Sequence, residues 1–307
     1  MVNVSIARIL VSGSSGLVGS ALVSSLKGAG ARVARLSRPG TTQGSSDEER
    51  VPWDSSQPIS PEAVSGFDAV VHLAGESIVG RWTEAKKARI RDSRIPATTN
   101  LARALAQAKR KPSVFISASA IGYYGNRGDE VMTETSNAGS GFTADLAREW
   151  EVATTAASEA GIRTAQIRIG IVMATAGGAL AKMLPAFKMG VGGRLGDGRQ
   201  WMSWVDVQDV VGAIHHILRS DLLQGPVNLV APKPVTNAEF TRTLASVLKR
   251  PAIFPMPAFA ARIAFGQMAD ELLLASQRVE PTKLVSSGYP FRFGDLQACL
   301  KHLLGKG

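Results

Sequence analysis

The sequence predicts an α/β fold built on a doubly wound parallel sheet, followed by a smaller C-terminal α/β domain. Strand-like and helix-like segments alternate through the first two-thirds of the 307 residues. The strand-like runs are apolar along nearly their whole length, which is typical of strands buried on both faces of a parallel sheet. A glycine-rich turn joins the first strand to the first helix. Together these observations favour one parallel sheet with helices on both faces.

The elements follow from the periodicity of apolar residues along the chain. Strands are predicted at residues 6–11, 32–36, 69–73, 113–117, 164–172 and 227–229. Helices are predicted between them at residues 17–27, 83–94 continuing through 101–108, 142–160 and 207–218. Residues 39–66 are rich in glycine, serine, proline and charge, and they indicate a surface excursion. Further helices are predicted at residues 237–248, 258–274 and 295–304.

The order of these elements predicts two domains. The helix at residues 207–218 has the pattern of a sheet-packing helix, so the chain should leave the first domain, return and leave again. We assign residues 1–173 and 201–231 to the sheet domain, and residues 174–200 and 232–307 to the smaller domain. The smaller domain should close over the carboxyl ends of the strands, where doubly wound sheets form their ligand crevice.

The first turn has the spacing Gly13-x-x-Gly16-x-x-Gly19 between an apolar strand and an amphipathic helix. Gly13 permits the tight turn, Gly16 lets phosphates approach the backbone, and Gly19 lets the helix pack closely on its strand. Backbone N–H groups at the helix start, at Leu17 and Val18, and the helix dipole favour a pyrophosphate. The turn therefore predicts a Rossmann-type dinucleotide-binding domain, with a glycine turn of no such function as the alternative.

The end of the second predicted strand favours NADP(H) over NAD(H). An acidic residue usually follows this strand where NAD is bound, to hold the ribose hydroxyls, whereas a cation suits the 2′-phosphate of NADP. Here the residues are Ser37 and Arg38, and no acidic residue is present. The alternative is an arginine that is merely exposed to solvent.

Two further segments are candidates for contact with the adenosine half of the cofactor. Leu73, Ala74 and Gly75 end the strand at residues 69–73, and small residues there allow the backbone to approach the ribose and bridging phosphate. Asp54 follows Trp53 after the surface excursion and would contact the adenine edge. A buried tryptophan and a turn aspartate would explain the latter pair nearly as well.

Composition argues against several other classes of function. The net charge is +10, but no basic platform with interleaved aromatic residues accompanies it, so no nucleic-acid partner is expected. The four histidines and one cysteine lack metal-ligand spacing, and no metal is expected. No stretch approaches the roughly 20 apolar residues of a membrane span, so no membrane partner is expected. The single cysteine and the lack of a signal-peptide pattern predict a cytoplasmic protein.

Taken together, these residues resemble the extended and atypical branch of the short-chain dehydrogenase/reductase superfamily. Within it, the NAD-dependent epimerase/dehydratase-like subgroup, often labelled nucleoside-diphosphate-sugar epimerase, is the most similar. The resemblance spans nearly the whole chain and includes a small C-terminal domain. Its marks are the glycine turn, L-S-R-P at 36–39, L-A-G-E-S-I at 73–78, R-D-S-R at 91–94, S-A-S-A-I-G-Y-Y-G at 117–125 and G-D-G-R-Q-W-M-S-W-V-D-V-Q-D at 196–209.

The resemblance implies an NADP-binding Rossmann domain with a substrate-binding cap. Arg94 matches a family position near the cofactor phosphates, so it is expected to bind the cofactor. The order Ser37–Arg38 matches the family's clamp on the 2′-phosphate. Many relatives pair as dimers through the helices after the fourth and fifth strands, so a homodimer is compatible with the sequence, although nothing in it requires one.

The superfamily's Tyr-x-x-x-Lys acid–base pair is missing from this chain. Phe142 and Leu146 occupy the expected positions. Arg127 follows Tyr123 by four residues but does not replace the lysine, since a guanidinium stays protonated and a loop offers no helical register. Aligned with the superfamily's serine, Ser119 should bind a substrate oxygen, while Tyr123 should donate or accept a proton. The alternative is that both side chains only pack.

Three functions stay open at this point. The favoured one is an NADP(H)-dependent oxidoreductase or epimerase-like enzyme acting on a small polar or nucleotide-sugar-like substrate. The second is a catalytically silent NADP(H)-binding regulatory protein, since the Tyr-x-x-x-Lys pair is missing. The third is a reductase of a conjugated double bond, which needs no proton-transfer tyrosine. Arg194 and Arg199 lie in a glycine-rich loop and would bind an anionic substrate if they are not simply solvated.

Overall fold

The computed structural model describes residues 8–40 and 49–306. Residues 6 and 7 of the first predicted strand lie outside the described residues, as does part of the surface excursion. The strands, in chain order, are β1 (Arg8–Ser12), β2 (Arg32–Ser37), β3 (Arg50–Pro52), β4 (Ala69–His72), β5 (Val114–Ala120), β6 (Val131–Met132), β7 (Arg163–Ile169), β8 (Ile171–Met173), β9 (Trp201–Met202), β10 (Trp204–Asp206), β11 (Gly225–Leu229), β12 (Val235–Thr236) and β13 (Arg278–Val279).

The helices pack around these strands. They are α1 (Leu17–Gly28), α2 (Glu84–Asp92), α3 (Ile95–Gln107), α4 (Phe142–Val152), α5 (Thr155–Glu159), α6 (Gly178–Lys188), α7 (Val207–Arg219), α8 (Asn237–Leu248), α9 (Ala258–Phe265), α10 (Thr282–Ser286) and α11 (Leu296–Leu303). A 3-10 turn spans Ile121–Tyr124, and a π-helical turn spans Ala269–Leu273.

A parallel sheet of seven strands forms the centre of the protein, in the order β11-β7-β5-β4-β1-β2-β3. The chain starts in the middle at β1, runs outward through β2 and β3, and then returns to β4 on the other side. This reversal between β1 and β4 opens a crevice at the carboxyl ends of the strands. The predicted doubly wound parallel sheet is confirmed.

Apolar layers cover both faces of the sheet. Ile9 and Val11 of β1 belong to the layer beneath α1 and α7, whereas Leu10 between them belongs to the layer beneath α3 and α5. This alternation follows from the pleat, because successive side chains point to opposite faces of a strand. A strand between two such layers has no solvated face, which is why its sequence is continuously apolar.

A separate apolar core is built by α6, α8 and α11, with Phe187, Leu244 and Leu300 at its centre. Trp204 of β10 also lies in this core, although it falls in the predicted sheet domain. Conversely, Leu284 of α10 packs into the core of the main sheet, although it falls in the predicted smaller domain. Residues assigned to one predicted domain therefore pack in places into the core of the other, and the domain boundaries stay a prediction.

Several predicted elements are divided in the structure. The strand predicted at residues 164–172 breaks at Gly170, where a Cβ would lie 2.4 Å from the carbonyl oxygen of Ser203. The helix predicted at residues 258–274 breaks at Gly266, whose φ is +60°. Strand β3 lies inside the predicted surface excursion, where it extends the sheet beside β2. Its three residues are too few to produce a periodic signal.

No helix within residues 8–40 and 49–306 has the length and apolar character that crossing a bilayer requires.

Candidate cofactor and active site

The glycine turn lies between β1 and α1, and each of its glycines meets a different constraint. Gly13 has a φ of +65°, and a Cβ there would lie 2.6 Å from the carbonyl carbon of Leu73. A Cβ on Gly19 would lie 2.1 Å from the carbonyl oxygen of Gly13, so no larger residue fits between helix and turn. Gly16 is exposed, and a Cβ there would meet only the Gly13 carbonyl oxygen, at 3.3 Å. The turn is thus closed toward the protein and open toward solvent at Gly16.

The first turn of α1 is free to bind an anion. Among the described residues, no side chain caps the helix at Gly16, and its first turn carries no acidic residue. The first N–H groups of a helix have no intrahelical partner, and those of Leu17 and Val18 belong to this set. Uncapped N–H groups and the positive end of the helix dipole suit a phosphate. The predicted pyrophosphate site therefore fits the geometry of this turn.

A hydrogen-bonded network lies beneath the turn. The Oγ of Ser12 accepts from the backbone N–H groups of Leu73 (3.1 Å) and Ala74 (3.3 Å). Because both lone pairs of the hydroxyl are then used, its hydrogen must point to Nδ1 of His72, 2.6 Å away. Ser12 and His72 thus hold the Leu73–Ala74 backbone against Gly13.

The same argument assigns the tautomer of His72. With Nδ1 accepting, Nε2 carries the hydrogen and donates to Oγ1 of Thr98 at 3.1 Å. Thr98 also accepts from the indole N–H of Trp150 at 2.9 Å. His72 is completely buried, and burial lowers its pKa to about 4. The imidazole is therefore neutral at neutral pH, as the hydrogen bonds require.

Ser37 ends β2 and Arg38 follows it, at the same edge of the sheet as the glycine turn. Ser12 pairs with Leu36 in the register of β1 and β2, so Ser37 lies beside Gly13. Ser37 is half-buried, whereas Arg38 is exposed. Arg35 connects the two segments, because its Nη1 donates to the carbonyl oxygen of Ser14 at 3.1 Å. The structure places the predicted 2′-phosphate clamp next to the predicted pyrophosphate site.

Asp54 has a local structural role. Its Oδ1 accepts from the backbone N–H (3.0 Å) and from the hydroxyl (2.8 Å) of Ser56, and these hydrogen bonds lower the pKa of the carboxyl. The neighbouring Trp53 is buried and donates from its indole N–H to the carbonyl oxygen of Gln57 at 2.9 Å. The pair thus closes a turn after β3, and contact of Asp54 with the adenine stays a prediction.

Arg94 supports the backbone that follows β4. Its guanidinium donates to the carbonyl oxygens of Ile90 (3.0 Å) and Glu76 (2.9 Å) and lies 5.0 Å from the Trp150 ring centroid. A Cβ on Gly75 would lie 3.0 Å from this guanidinium. Burial lowers the pKa of Arg94 to about 10, so it stays charged at neutral pH. Contact of Arg94 with the cofactor phosphates stays a prediction, whereas its hydrogen bond to the segment after Ala74 is present in the structure.

Ser119 and Tyr123 both lie at the carboxyl end of β5. Ser119 is buried, and its hydroxyl donates to Oε1 of Glu151 at 2.7 Å. Tyr123 is half-buried, and its ring centroid lies 3.5 Å from the guanidinium carbon of Arg168. Within the described residues, the Tyr123 hydroxyl has no hydrogen-bond partner. Its ring is therefore fixed while its hydroxyl is free to bind a ligand.

A buried ion pair that the sequence analysis did not identify lies under these two residues. Arg168 is 2% exposed, and its Nε and Nη2 donate to the two carboxylate oxygens of Glu151 at 2.7 and 2.8 Å. Its Nη1 donates to the hydroxyl of Tyr124 at 2.9 Å, and that hydroxyl donates to Oδ1 of Asn228 at 2.7 Å. Burial raises the pKa of Tyr124 to about 12, so this phenol stays protonated.

The side chains at the two positions of the missing acid–base pair lie in an apolar cluster. Phe142 begins α4 and packs edge-on against Trp82, with 5.1 Å between ring centroids. Leu146 is buried in the same cluster, which also includes Met268. Glu271 accepts from the backbone N–H of Thr143 at 2.8 Å and from its hydroxyl at 2.9 Å, so it caps α4. No proton-transfer side chain occupies these two positions.

The glycine-rich loop and the residue that follows it, at residues 190–199, present two arginines to solvent. Arg194 and Arg199 are exposed. The loop is anchored by Asn237, whose Oδ1 accepts from the backbone N–H of Leu195 at 2.8 Å. Binding of an anionic substrate by these arginines stays a prediction. In the described part of the chain, no three His, Cys, Asp or Glu side chains are close enough together to hold a metal ion.

Comparison with known proteins gives consistent results along the chain. The model of the NAD dependent epimerase/dehydratase family matches residues 9–229, and a domain of unknown function, DUF1731, matches residues 256–303. Epimerase family protein Mb2239 of Mycobacterium bovis is 42% identical over 296 residues, covering 96% of both chains. Epimerase family protein YfhF of Bacillus subtilis is 35% identical over 298 residues, covering 97% of this chain and 98% of the relative.

Among solved structures, the human epimerase family protein SDR39U1 (isoform 2) with NADPH is similar over the whole fold. It is 32% identical to this chain, the TM-score is 0.88, and the match covers 98% of this chain and 100% of the human one.

Proposed function

Since this chain belongs to the NAD dependent epimerase/dehydratase family of NAD(P)-binding short-chain dehydrogenase/reductase proteins, we propose that it binds NADP(H). We further propose that it is an oxidoreductase or epimerase-like enzyme acting on a small polar or nucleotide-sugar-like substrate. The observation that carries the proposal is the uncapped first turn of α1 behind the glycine turn, with Ser37 and Arg38 in place of an acidic residue beside it.

The described residues suit the cofactor in two places. The amides of Leu17 and Val18 would hold the pyrophosphate, and the open side of Gly16 would let it approach. Ser37 and Arg38 would hold the 2′-phosphate, since a guanidinium binds phosphate with charge-assisted hydrogen bonds. The human relative in complex with NADPH supports the same choice of cofactor.

When bound, NADP(H) would supply a hydride donor or acceptor. Ser119 donates its own hydrogen to Glu151, which leaves its oxygen as an acceptor for a substrate hydroxyl. Tyr123 would donate or accept the proton, because its hydroxyl is free while Arg168 fixes its ring. A substrate alcohol could thus be held between these two oxygens.

The proposal also covers the charge of the substrate, the cellular location and the oligomeric state. Arg194 and Arg199 would favour an anionic substrate because they add positive charge to the glycine-rich loop. A cytoplasmic location fits a chain with one cysteine, Cys299, which is buried. A homodimer stays part of the proposal, and its test is the mass of the protein in solution.

A second candidate function is catalytically silent NADP(H) binding that regulates a partner. The packing of Phe142 and Leu146 into an apolar cluster favours it, because no acid–base group replaces the missing pair. The two functions differ in whether NADPH is oxidised. A panel of carbonyl, enone and nucleotide-sugar compounds would separate them, and turnover of an enone alone would instead indicate double-bond reduction.

We expect Tyr123→Phe to lower kcat by about 10²–10⁴-fold, the usual contribution of a general acid or base. The phenylalanine keeps the ring against Arg168, so folding should be unaffected. Ser119→Ala should raise KM or lower kcat on the same substrate. Ser113→Ala is the matched control, since Ser113 lies before β5 at the opposite edge of the sheet. Unchanged turnover in Tyr123→Phe and Ser119→Ala would refute the catalytic assignment.

We expect Arg38→Ala to weaken NADPH binding by about 1.5–3 kcal/mol, the worth of hydrogen bonds to a charged group. NADH binding should not change, because NADH has no 2′-phosphate. Arg32→Ala provides the control: Arg32 is an exposed arginine at the other end of β2. Calorimetric titration of each variant with both nucleotides measures the two affinities. An equal loss for both nucleotides would rule out recognition of the 2′-phosphate by Arg38.

A further inference from the structure

One surface of the protein exposes an unusual amount of apolar side chain. It is formed by residues 188–194 and 250–263, and we call it the apolar–basic surface. Of the twelve large apolar side chains that are exposed in the described part of the chain, seven lie on it. The most exposed are Ile253 (72%), Ile263 (71%) and Met189 (70%). Concentrated exposure of this kind marks an interaction site, whereas single exposed apolar residues do not.

The two segments of this surface are joined by backbone hydrogen bonds. The N–H of Met256 donates to the carbonyl oxygen of Arg194 at 2.9 Å, and the N–H of Gly196 donates to the carbonyl oxygen of Met256 at 2.9 Å. Helix α9 follows directly and lies wholly within the described residues. Ala261 is its one buried residue, while Phe259 is 65% exposed. Helix α9 thus presents apolar side chains to solvent beside an equally exposed loop.

Residues 188–194 and 250–263 themselves carry only positive charge, while the acidic residues Asp197 and Asp270 lie just outside them. Residues 178–196 and 248–265 contain six lysines and arginines and no aspartate or glutamate. Arg262 pairs with Asp270 at 2.8 Å, and the other five cations form no ion pair within the described residues. Three cations line a cavity of about 400 Å³ together with Leu248 and Leu304. These cations are Lys188, Arg250 and Lys306.

The cavity and the apolar side chains are continuous. Lys188 directly precedes Met189, and Arg250 directly precedes Pro251, whose ring lies 3.3 Å from where a Cβ on Gly190 would be. The ends of α6, α8 and α11 meet at the cavity, and helix C-termini favour cations. That effect accounts for the cations but not for the exposed apolar residues beside them.

We propose that the apolar–basic surface binds the surface of an anionic phospholipid bilayer. The apolar side chains would enter the boundary between headgroups and acyl chains, and the cavity would receive a headgroup phosphate. Apolar side chains bordered by lysine and arginine are the combination that peripheral membrane surfaces use. The sequence-based expectation of no membrane partner rested on the lack of a spanning segment, and peripheral binding requires none.

A second copy of this chain suits the surface less well. A two-fold dimer would place the surface against itself, since such an interface uses the same patch on both subunits. The cations of both copies would then face one another, and Asp270, the acidic residue beside them, is already paired with Arg262. An anionic bilayer instead supplies the missing negative charge.

The test is sedimentation of the full-length chain with vesicles. One set is pure phosphatidylcholine, and the other is an equimolar mixture of phosphatidylcholine and phosphatidylglycerol. We expect binding to the mixed vesicles to be about ten-fold tighter or more, and to weaken at high salt. Phe254→Ser combined with Phe259→Ser, and Lys188→Gln combined with Arg250→Gln, should each lower binding about ten-fold. Leu222→Ser should bind as the unchanged chain does, because Leu222 is 87% exposed but lies elsewhere.

Thermal unfolding and NADPH binding of each variant show whether it has folded. The proposal is wrong if the unchanged chain sediments with neither set of vesicles, or if Leu222→Ser loses as much binding as the surface variants. It is also wrong if the surface variants keep vesicle binding but turn a dimer into a monomer in analytical ultracentrifugation. That last outcome would assign the surface to a second copy of the chain.

Discussion

Replacing Arg168 with methionine should lower the free energy of unfolding by about 3–5 kcal/mol, the cost of removing one partner from a buried ion pair. Arg168 is 2% exposed and makes two hydrogen bonds to Glu151. Methionine would fill part of the volume but leave the Glu151 carboxylate, whose side chain is only 13% exposed, with the hydroxyl of Ser119 as its one hydrogen-bond donor within the described residues. The measurement is urea unfolding at neutral pH.

Two further variants separate the buried pair from a general effect of charge. Arg148→Met removes an arginine of α4 that pairs with Asp145 where both side chains are 55% exposed, so it should cost at most about 1 kcal/mol. Arg168→Met combined with Glu151→Leu should recover part of the loss, because no unpaired charge stays buried. If the free energy of unfolding of Arg168→Met lies within about 1 kcal/mol of that of the unchanged protein, the ion pair does not stabilise the protein as proposed.

Acidification should destabilise the protein through His72 by about 3 kcal/mol. The pKa of His72 is about 4 in the folded chain and about 6.5 when unfolded, so the unfolded state binds more protons between these values. Stability is therefore fully present above pH 6.5 and falls as the pH decreases toward 4, where the loss saturates. Protonation would also place a second hydrogen toward Ser12, whose lone pairs are already used.

The His72→Gln variant isolates this contribution. It should be less stable at neutral pH because the hydrogen bonds to Ser12 and Thr98 change, but its stability should depend less on pH between 6.5 and 4. The control is His302→Gln, since His302 is exposed on α11. Equal pH slopes for the unchanged protein and His72→Gln, measured by urea unfolding across this range, would contradict the assignment.

The main features of the fold could be predicted because their signals are local. The turn from Gly13 to Gly19 combines a strand, three glycines and a helix start within eleven residues of sequence, 9–19. Buried parallel strands are apolar on both faces, so they are recognisable one at a time. Strand β3 could not be predicted because three residues are too few to show the alternation of apolar and polar side chains. The break at Gly170 depends on contact with Ser203, far along the chain.

The residues proposed for the cofactor and for catalysis could be named from the sequence, whereas the ion pair beneath Ser119 and Tyr123 could not. Ser119 and Tyr123 follow a predicted strand and could be found by position. Arg168 and Glu151 could not be paired from sequence, because their contact depends on the register in which Ser119 lies opposite Arg168. One signal was available: an arginine inside the apolar run of β7 needs a buried partner. Such a residue in a buried strand indicates a polar network even where its partner is unknown.

Binding of NADP(H) is tested by calorimetric titration of the purified chain with NADPH and with NADH. We expect heat of binding with NADPH and an affinity for NADPH about ten-fold or more above that for NADH, because Arg38 would contact only the phosphorylated ribose. No heat with either nucleotide, or tighter binding of NADH, would contradict it.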